Sequence, residues 1–309
     1  MDFSEILAIW RGETRRALKS GRVLVLLILF VLFVALSLTI VGGLQYQANA
    51  QLEQQAAQAG ADLAQASGQL AEQKKGFLKF FVTDDEQMLD SLAVIPLVLL
   101  VVFKLTLRFL PLFIALMGFD QLSGEVGPKS IRYLVVRVKR SSIIVGKLLS
   151  QMTIFSLLLT LCTVLMVLVA RFLNADFPAS EVAWWTLKLI LSSFVLSLAY
   201  LSLTALFSAL TRQGSVSLVL NIIALFVIWF VALVAGFYRF PGEELSGSAL
   251  AMLKSESPLA YLRYLSVWHF GDDLLHPKWA RAVPAALAHV GYGLIFLGLA
   301  QLAVRRRDL

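Results

Sequence analysis

The sequence predicts an all-α integral membrane protein with six transmembrane helices, preceded by an amphipathic helix at the membrane surface. Apolar residues (A, V, I, L, M, F, W, Y and C) make up 59% of the 309 positions, and the mean hydropathy is +0.79. Soluble domains are about 45–50% apolar. A soluble core of this size cannot use so much apolar surface, so the excess requires lipid. The net charge of +7 then indicates basic loops at one membrane face rather than nucleic-acid binding.

Six stretches are long enough to cross a bilayer, which takes ~20 mostly apolar residues in a helix. They are roughly 23–44, 92–117, 143–172, 184–210, 215–237 and 283–304. The second is the least regular, because it contains Pro96, Lys104, Arg108 and Pro111. We expect residues 23–309 to form one six-span domain, with the start of the second span left open.

The charges between the spans predict the orientation. Residues 1–22 carry five Arg and Lys against three acids, residues 118–147 carry six against two, and the tail adds three arginines. On the other side, residues 45–91 carry three Lys against seven acids, and residues 238–281 carry five of each. Basic loops stay in the cytoplasm. The pattern therefore predicts a multi-pass protein of the inner (plasma) membrane with both termini cytoplasmic.

Residues 1–22 are predicted to form an amphipathic helix that lies at the membrane interface. Apolar residues such as Ile6 and Trp10 recur at helical spacing, and Arg11, Arg15 and Lys19 line another face. This pattern is typical of a helix with Trp at headgroup depth and cations at the lipid phosphates. Membrane lipid is therefore a predicted partner of this helix. The helix either only anchors the chain at the membrane or also helps to frame the contact with another protein.

The two outer segments carry no strong chemical motif. Residues 45–75 are rich in Ala and Gln and indicate a polar helical excursion, which is either a solvated spacer or a docking surface for an extracytoplasmic protein. In residues 238–281, His269, Asp272, Asp273 and His276 match no strong metal-ligand spacing, so no metal site is expected. The single cysteine, Cys162, permits no disulfide within the chain.

The most informative segment runs GFDQLSGEVGPKSIRYLVVRVKRSSIIVGK, residues 118–147. It is polar, basic and rich in turn formers, so it cannot lie in hydrocarbon. Gly124 and Gly127 permit a sharp change of direction, and Lys147 is expected to reach toward the lipid interface. By charge alone this would be an ordinary basic loop.

The residue order of this segment resembles the first cytoplasmic loop of ABC-2-type permeases. The shared order is an acidic-Ser-Gly-Glu run, a Gly, an Ile-Arg-Tyr-Leu-like run, a basic-Ser-Ser pair and a Gly-Lys. Within this family, the segment is most similar to the permeases that process copper for nitrous-oxide-reductase maturation. This likeness to a subgroup is weaker than the likeness to the family. One departure is Gly127-Pro128-Lys129, where relatives carry a charged residue followed by Gly-Thr.

The resemblance implies a coupling loop over residues 118–142 that contains a coupling helix and docks on a separate cytoplasmic ATPase. It implies two copies of the ATPase and a second copy of the permease, a homodimer or a heterodimer. The residues implied in ATPase coupling are Asp120, Gln121, Ser123, Gly124, Glu125, Gly127, Ile131, Arg132 and Tyr133. The chain has no Gly-x-x-x-x-Gly-Lys-Ser/Thr phosphate loop of its own. We therefore expect no catalysis and no cofactor in this chain, with ATP and Mg bound by the partner.

Lys104 and Arg108 are candidates for the translocation path. They are four residues apart and so share one face of the second span. A cation at the centre of a bilayer costs ~2.5–3.5 kcal/mol on insertion scales. Either both face a wet cavity, a partner or an anionic ligand, or the span begins later and they lie in the outer interface.

Three functions remain open on the sequence. The first is a permease that exports a substrate. The second is a membrane subunit that transmits ATP-driven motion to an extracytoplasmic partner without carrying a solute. The third is an ion-coupled carrier, which the absence of acidic residues at mid-membrane disfavours. The substrate cannot be chosen from the spans.

Overall fold

The computed structural model describes residues 2–59, 76, 97–126, 138–173, 179–237, 262, 264–271 and 273–306. Within these residues the regular structure is helical. The helices are α1 (Phe3–Leu18), α2 (Gly21–Ala59), α3 (Leu97–Gly118), α4 (Ser123–Val126), α5 (Arg140–Leu173), α6 (Ala179–Leu210), α7 (Gly214–Phe237) and α8 (Trp279–Arg305). Two short 3₁₀ turns, Val267–Phe270 and Asp273–Leu275, precede α8.

In the described part of the chain, six helices are long and apolar enough to cross a membrane, which confirms the predicted fold class. The candidate spans are Val23–Ile40, Leu99–Val126, Arg140–Leu168, Val182–Leu210, Gly214–Val234 and Trp279–Arg305. The chain is therefore a multi-pass membrane protein. We call the side on which α4 lies the α4 side, and the other the far side.

Helix α2 differs most from expectation. The sequence predicts a span ending near residue 44, followed by a separate polar helix. Instead α2 is one helix of 39 residues ending at Ala59. The polar Ala/Gln stretch has good helix propensity and no proline, so it extends the apolar helix without a break.

The chain divides into two compact units. The first contains Met1–Lys19, Pro111–Ile154 and Phe194–Leu309, and the second contains Ser20–Leu110 and Phe155–Ser193. The predicted domain boundaries, residues 1–22 and 23–309, stay a prediction.

The first unit is held together by close helix approaches at small residues. A Cβ at Gly118 in α3 would lie 2.9 Å from Cγ2 of Thr204 in α6, and a Cβ at Gly293 in α8 would lie 3.0 Å from Cγ of Leu198. A buried apolar cluster then joins the ends of the helices on the α4 side; its members are Leu122, Ile144, Ala209, Ala300 and Val304. Small residues at helix contacts are the usual way for membrane helices to pack, because burial in protein gains little over lipid.

The segment before α8 folds back along the helices of the first unit. The Ser266 hydroxyl donates to the backbone oxygen of Ile228 at 2.8 Å, and the Tyr292 hydroxyl donates to the backbone oxygen of Tyr264. Ile228 lies nine residues before the end of α7, so this contact is about 13 Å below the end of that helix. These two hydroxyl groups thus attach the segment before α8 to α7 and to α8 itself.

The histidines of this segment are used in packing. The His269 ring meets the rings of Tyr264 and Phe270 edge-on, at 5.9 and 5.2 Å between centroids. The buried His276 ring accepts the backbone N–H of Lys278 on Nδ1 at 3.1 Å. Asp272 lies outside the described residues.

Candidate functional site: the ionic network around α4

Helix α1 is docked on α5 through polar and apolar contacts. Asp2 caps α1 by accepting the backbone N–H and the hydroxyl of Ser4 on Oδ1, at 3.0 and 2.8 Å. The same two bonds hold the pKa of the Asp2 carboxyl below its ordinary value. Further along α1, the Trp10 indole N–H donates to Oγ1 of Thr153 in α5 at 2.9 Å. The headgroup depth expected for Trp10 stays a prediction; what the structure adds is this contact with α5.

A glycine in α5 makes this docking possible. A Cβ at Gly146 would lie 2.8 Å from Cβ and Cγ2 of Ile9, and 3.2 Å from the backbone oxygen of Ile6. One turn later in α5, Oγ of Ser150 lies 3.1 Å from Oγ1 of Thr14. Residues 146, 150 and 153 of α5 share one helix face. That face receives α1.

Replacing Gly146 by alanine is expected to loosen α1 and to destabilise the protein by about 1–3 kcal/mol, because both clashing groups are close to the backbone and cannot rotate away. The matched control is Gly12→Ala, also in a helix but with open space around the new methyl group. The control should be neutral or stabilising by up to about 1 kcal/mol, from helix propensity alone. Thermal unfolding of both variants in detergent measures the difference; equal midpoints would contradict the close approach.

Helix α4 contains the Ser-Gly-Glu run and is fixed by α6. Oγ of Ser208 in α6 accepts the backbone N–H groups of Leu122 and Ser123 at 2.9 and 3.0 Å. Ser208 and Ser123 are both buried. The first residues of α4 are therefore held by a side chain more than 80 positions away in the sequence.

Four charged side chains meet beside α4, and we call them the ionic network: Glu13, Arg16, Glu125 and Lys147. Nζ of Lys147 lies 3.0 Å from Oε1 of Glu13 and 2.8 Å from Oε1 of Glu125. Nη1 of Arg16 lies 3.3 Å from the same oxygen of Glu125. The network connects α1, α4 and α5. The Lys147 side chain is only 5% exposed, so it does not extend to the lipid interface as the sequence suggests.

Exposure differs sharply within the network. The side chains of Glu125 and Glu13 are 13% and 26% exposed, whereas that of Arg16 is 73% exposed. Attraction between charges is strong where water is excluded and weak where it is not. The Lys147 contacts are therefore the strong part of the network, and the Arg16 contact is the weak part.

The start of α5 is joined to the end of α8 by Arg140. Its Nη1 donates to the backbone oxygens of Val304 and Arg305 at 3.1 and 3.0 Å. These are carbonyls in the last turn of α8, where a cation is favoured by the helix dipole. Arg140 therefore holds the end of a helix.

The structure places the residues predicted for ATPase coupling in two groups. The first group lies within the described residues. In it, Gln121 and Ser123 are buried, and Glu125 lies in the ionic network. Asp120 is half-buried and packs beside Gly214, whereas Gly124 is exposed. Gly127, Ile131, Arg132 and Tyr133 lie outside the described residues. The predicted role of the whole set stays a prediction. The two translocation-path candidates are on α3, with Lys104 half-buried and Arg108 exposed.

Comparison with known families identifies the chain. A family model described as "ABC-2 family transporter protein" matches residues 7–309, nearly the whole length. The chain belongs to the ABC-2 transporter family. A search of curated proteins returned no match.

Membership accounts for the architecture of this ABC-2 permease. The resemblance seen in residues 118–147 is confirmed at the level of the family, and an all-helical six-span subunit is what the family predicts. A permease of this family is a transport component, and membership implies an ABC ATPase as its partner in general. The likeness to the subgroup of copper-processing permeases stays a prediction.

Proposed function

We propose that this chain is the permease subunit of an ATP-driven exporter, coupled to a separate ABC ATPase that binds on the α4 side. The α4 side is then cytoplasmic, and both chain termini lie there, in the inner (plasma) membrane. ATP and Mg are bound by two ATPase copies, and two permease copies complete the transporter. Family membership supports a permease role, and the basic loops support the orientation.

The observation that carries the coupling proposal is the ionic network. An ATPase that pushes on the loop containing α4 can move the membrane helices only if α4 is rigidly joined to them. Lys147 makes that joint, because its buried ammonium binds a carboxylate from α4 and another from α1. Ser208 makes a second joint, to α6. Glu125 and Ser123 are thus proposed as positioning residues, which hold the docking surface in place, while Gly124 and the residues after it provide that surface.

The test is co-purification of the permease with candidate ABC ATPase subunits, using Gly124→Arg as the variant. Gly124 is exposed, and its nearest neighbour atoms outside the backbone would be at ordinary contact distance from a Cβ. A long charged side chain there should block docking without disturbing the fold. We expect ATPase binding and permease-stimulated ATP hydrolysis to fall by about tenfold or more, equivalent to about 1.4 kcal/mol.

The matched control is Gly43→Arg, at an exposed glycine in α2 beyond the span Val23–Ile40. This residue lies on the far side and should leave ATPase binding unchanged. Loss of binding in both variants, or in neither, would contradict docking at α4. Failure of the wild-type protein to bind any ABC ATPase while folded and monodisperse would overturn the proposed function itself.

A second candidate function is favoured by the length of α2. Ala59 lies 19 residues past Ile40, so the helix projects about 28 Å beyond the end of its candidate span. An unbroken helix of this length can carry movement from the membrane to an extracytoplasmic protein. Deleting residues 45–91 removes this projection and separates the two candidate functions. ATP-driven export should survive the deletion. Transmission of motion to an outer partner should not.

A further inference from the structure

The loop between α6 and α7 lies beside α4. It consists of residues 211–213, because α6 ends at Leu210 and α7 begins at Gly214. Ser208, whose hydroxyl holds the first residues of α4, stands one helical turn before Arg212. The α6–α7 loop is therefore on the α4 side, at the place where α4 is joined to α6.

Asp120 brings the α6–α7 loop and the exposed glycine of α4 onto one surface. A Cβ at Gly214 would lie 3.1 Å from Cβ of Asp120 and 3.2 Å from Cε2 of Phe119. A Cβ at Gly124 would lie 3.6 Å from Cβ and from Oδ2 of the same aspartate. One side chain therefore separates Gly124 from the start of α7. The proposed docking surface at Gly124 thus continues directly into the α6–α7 loop.

The α6–α7 loop is fixed at both ends. Thr211 is buried, and its backbone N–H and its hydroxyl both donate to the backbone oxygen of Phe207, at 3.2 and 2.9 Å. These bonds extend the hydrogen bonding of α6 into the loop. At the other end, the close approach of Gly214 to Asp120 leaves little room for a side chain. A partner bound to the loop therefore acts on α6 and α7 together.

The exposed charges beside α4 are positive. Arg212 is exposed in the α6–α7 loop, and the Arg16 side chain is 73% exposed. Two neighbouring carboxylates are turned inward, because Glu13 and Glu125 bind the buried ammonium of Lys147. The cations are thus presented to the outside while these acids are used within the chain.

The adjoining parts of the chain carry the same sign. Residues 127–139, which connect α4 to α5, contain four Lys and Arg and no acid. The tail 305–309 contains three Arg against one Asp. Asp120 is half-buried between the two glycines. Since complementary charges favour association and select the partner, this surface fits an acidic one.

We infer that the α6–α7 loop is a second contact of the ATPase and that Arg212 pairs there with an acidic side chain of that subunit. A guanidinium offers a planar fork of donors that fits a carboxylate. The occupant is the ATPase rather than lipid, because the loop continues the surface at Gly124 on which the ATPase docks. This inference rests on the proposed function and names the chemistry by which its partner is recognised.

The test measures the affinity of the full-length permease, in nanodiscs of neutral phosphatidylcholine, for the ATPase that co-purifies with it. Arg212→Glu should weaken binding by about tenfold or more at about 50 mM salt. At about 500 mM salt the difference from the wild type should shrink to about threefold or less, because salt screens charges exposed to water. Arg212→Gln, which only removes the charge, should weaken binding by about threefold at low salt and covers the case in which Arg212→Glu does not fold.

The matched control is Arg11→Glu, which reverses another exposed cation of the first unit. Arg11 is five residues before Arg16 in α1, and so about 140° around the helix from it. It therefore points away from the ionic network. This variant should keep an ATPase affinity within about twofold of the wild type.

A cross-link identifies the group that meets the loop. The single cysteine of the chain, Cys162, is buried, so Arg212→Cys introduces one accessible thiol. A photoreactive maleimide attached to that thiol should label the ATPase, at a segment that contains Asp or Glu. Labelling of lipid alone would contradict the contact.

Unchanged affinity in Arg212→Glu beside a loss in Gly124→Arg would overturn the inference and leave the proposed function standing. An equal loss in Arg11→Glu would show a general effect of charge and would also overturn it. Unchanged ATPase affinity with weaker association of Arg212→Glu with phosphatidylglycerol would assign the cation to lipid instead. A folded wild-type permease that binds no ABC ATPase would overturn both the inference and the proposed function.

Discussion

Replacing Lys147 by methionine is expected to destabilise the protein by about 3–5 kcal/mol, the largest effect of any single substitution at the site. The ammonium of Lys147 is bound by Glu13 and Glu125 in a place where the lysine side chain is only 5% exposed. Without it, two carboxylates face each other with little water to screen them. Methionine fills a similar volume, so the loss of stability reports the charge rather than a cavity.

The measurement is thermal unfolding in detergent, with Arg16→Ala as the control. Arg16 contacts the same oxygen of Glu125 at 3.3 Å, but its side chain is 73% exposed, so its removal should cost about 0–1 kcal/mol. A third variant combines Lys147→Met with Glu13→Gln and Glu125→Gln, and should regain much of the stability because no unpaired charge remains. A single Lys147→Met variant as stable as the wild type would contradict the geometry of the network.

The Lys147 variants also test function. In the triple variant the fold should be kept while the ionic joint between α4 and the helices α1 and α5 is gone. We expect such a protein to bind the ATPase with reduced coupling between ATP hydrolysis and export. Full coupling in a stable triple variant would refute the role of the network in passing movement to the membrane helices.

The second large effect is expected at Ser208. Its hydroxyl accepts two backbone N–H groups at the start of α4, and Ser208→Ala leaves both without that acceptor in a fully buried place. A buried donor left unsatisfied costs about 1–3 kcal/mol, so the variant should lose about 2 kcal/mol or more and α4 should detach from α6. Hydrogen exchange of the Leu122 and Ser123 amides should rise along with the drop in the unfolding midpoint.

The chain offers a matched control for this substitution. Ser202 lies in the same helix and is equally buried, but its hydroxyl has no hydrogen-bond partner in the described part of the chain. Ser202→Ala removes an unsatisfied polar group and should be neutral or stabilising. A cost at Ser202 as large as that at Ser208 would show that burial of a small side chain, rather than the two backbone bonds, governs stability here.

Much of the architecture could be predicted because it depends on local properties. The six spans follow from apolar stretches of the required length, and all six reappear. The largest differences are the second span, predicted at 92–117 and found at Leu99–Val126, and the long polar continuation of α2. The sequence predicts that this polar continuation is helical but separate from the first span. No local feature of the sequence shows whether the helix bends there or continues straight. The family could be recognised from the order of residues 118–147, and the match over residues 7–309 confirms it.

The candidate site was predicted only in outline. Residue order located the Ser-Gly-Glu run, but polar residues in a loop look alike whether they face outward or inward. The partners of Glu125 are Lys147 and Arg16, 22 and 109 positions away. Pairing across such separations depends on where helices cross, and a single sequence does not contain that information in readable form. The same holds for Ser208, whose role depends on α6 lying beside α4.

The sequence by itself determined the membrane environment, the number of spans and the family, because hydrophobic length and residue order are properties of the chain alone. Only the tertiary structure decided which polar groups face inward. Gly118, Gly146 and Gly293 lack side chains where neighbouring helices approach most closely. These approaches bring Lys147 to its two carboxylates, Ser208 to the start of α4 and Arg140 to the end of α8. Buried charges and backbone donors need partners, and the packing of the helices determines which partners are within reach.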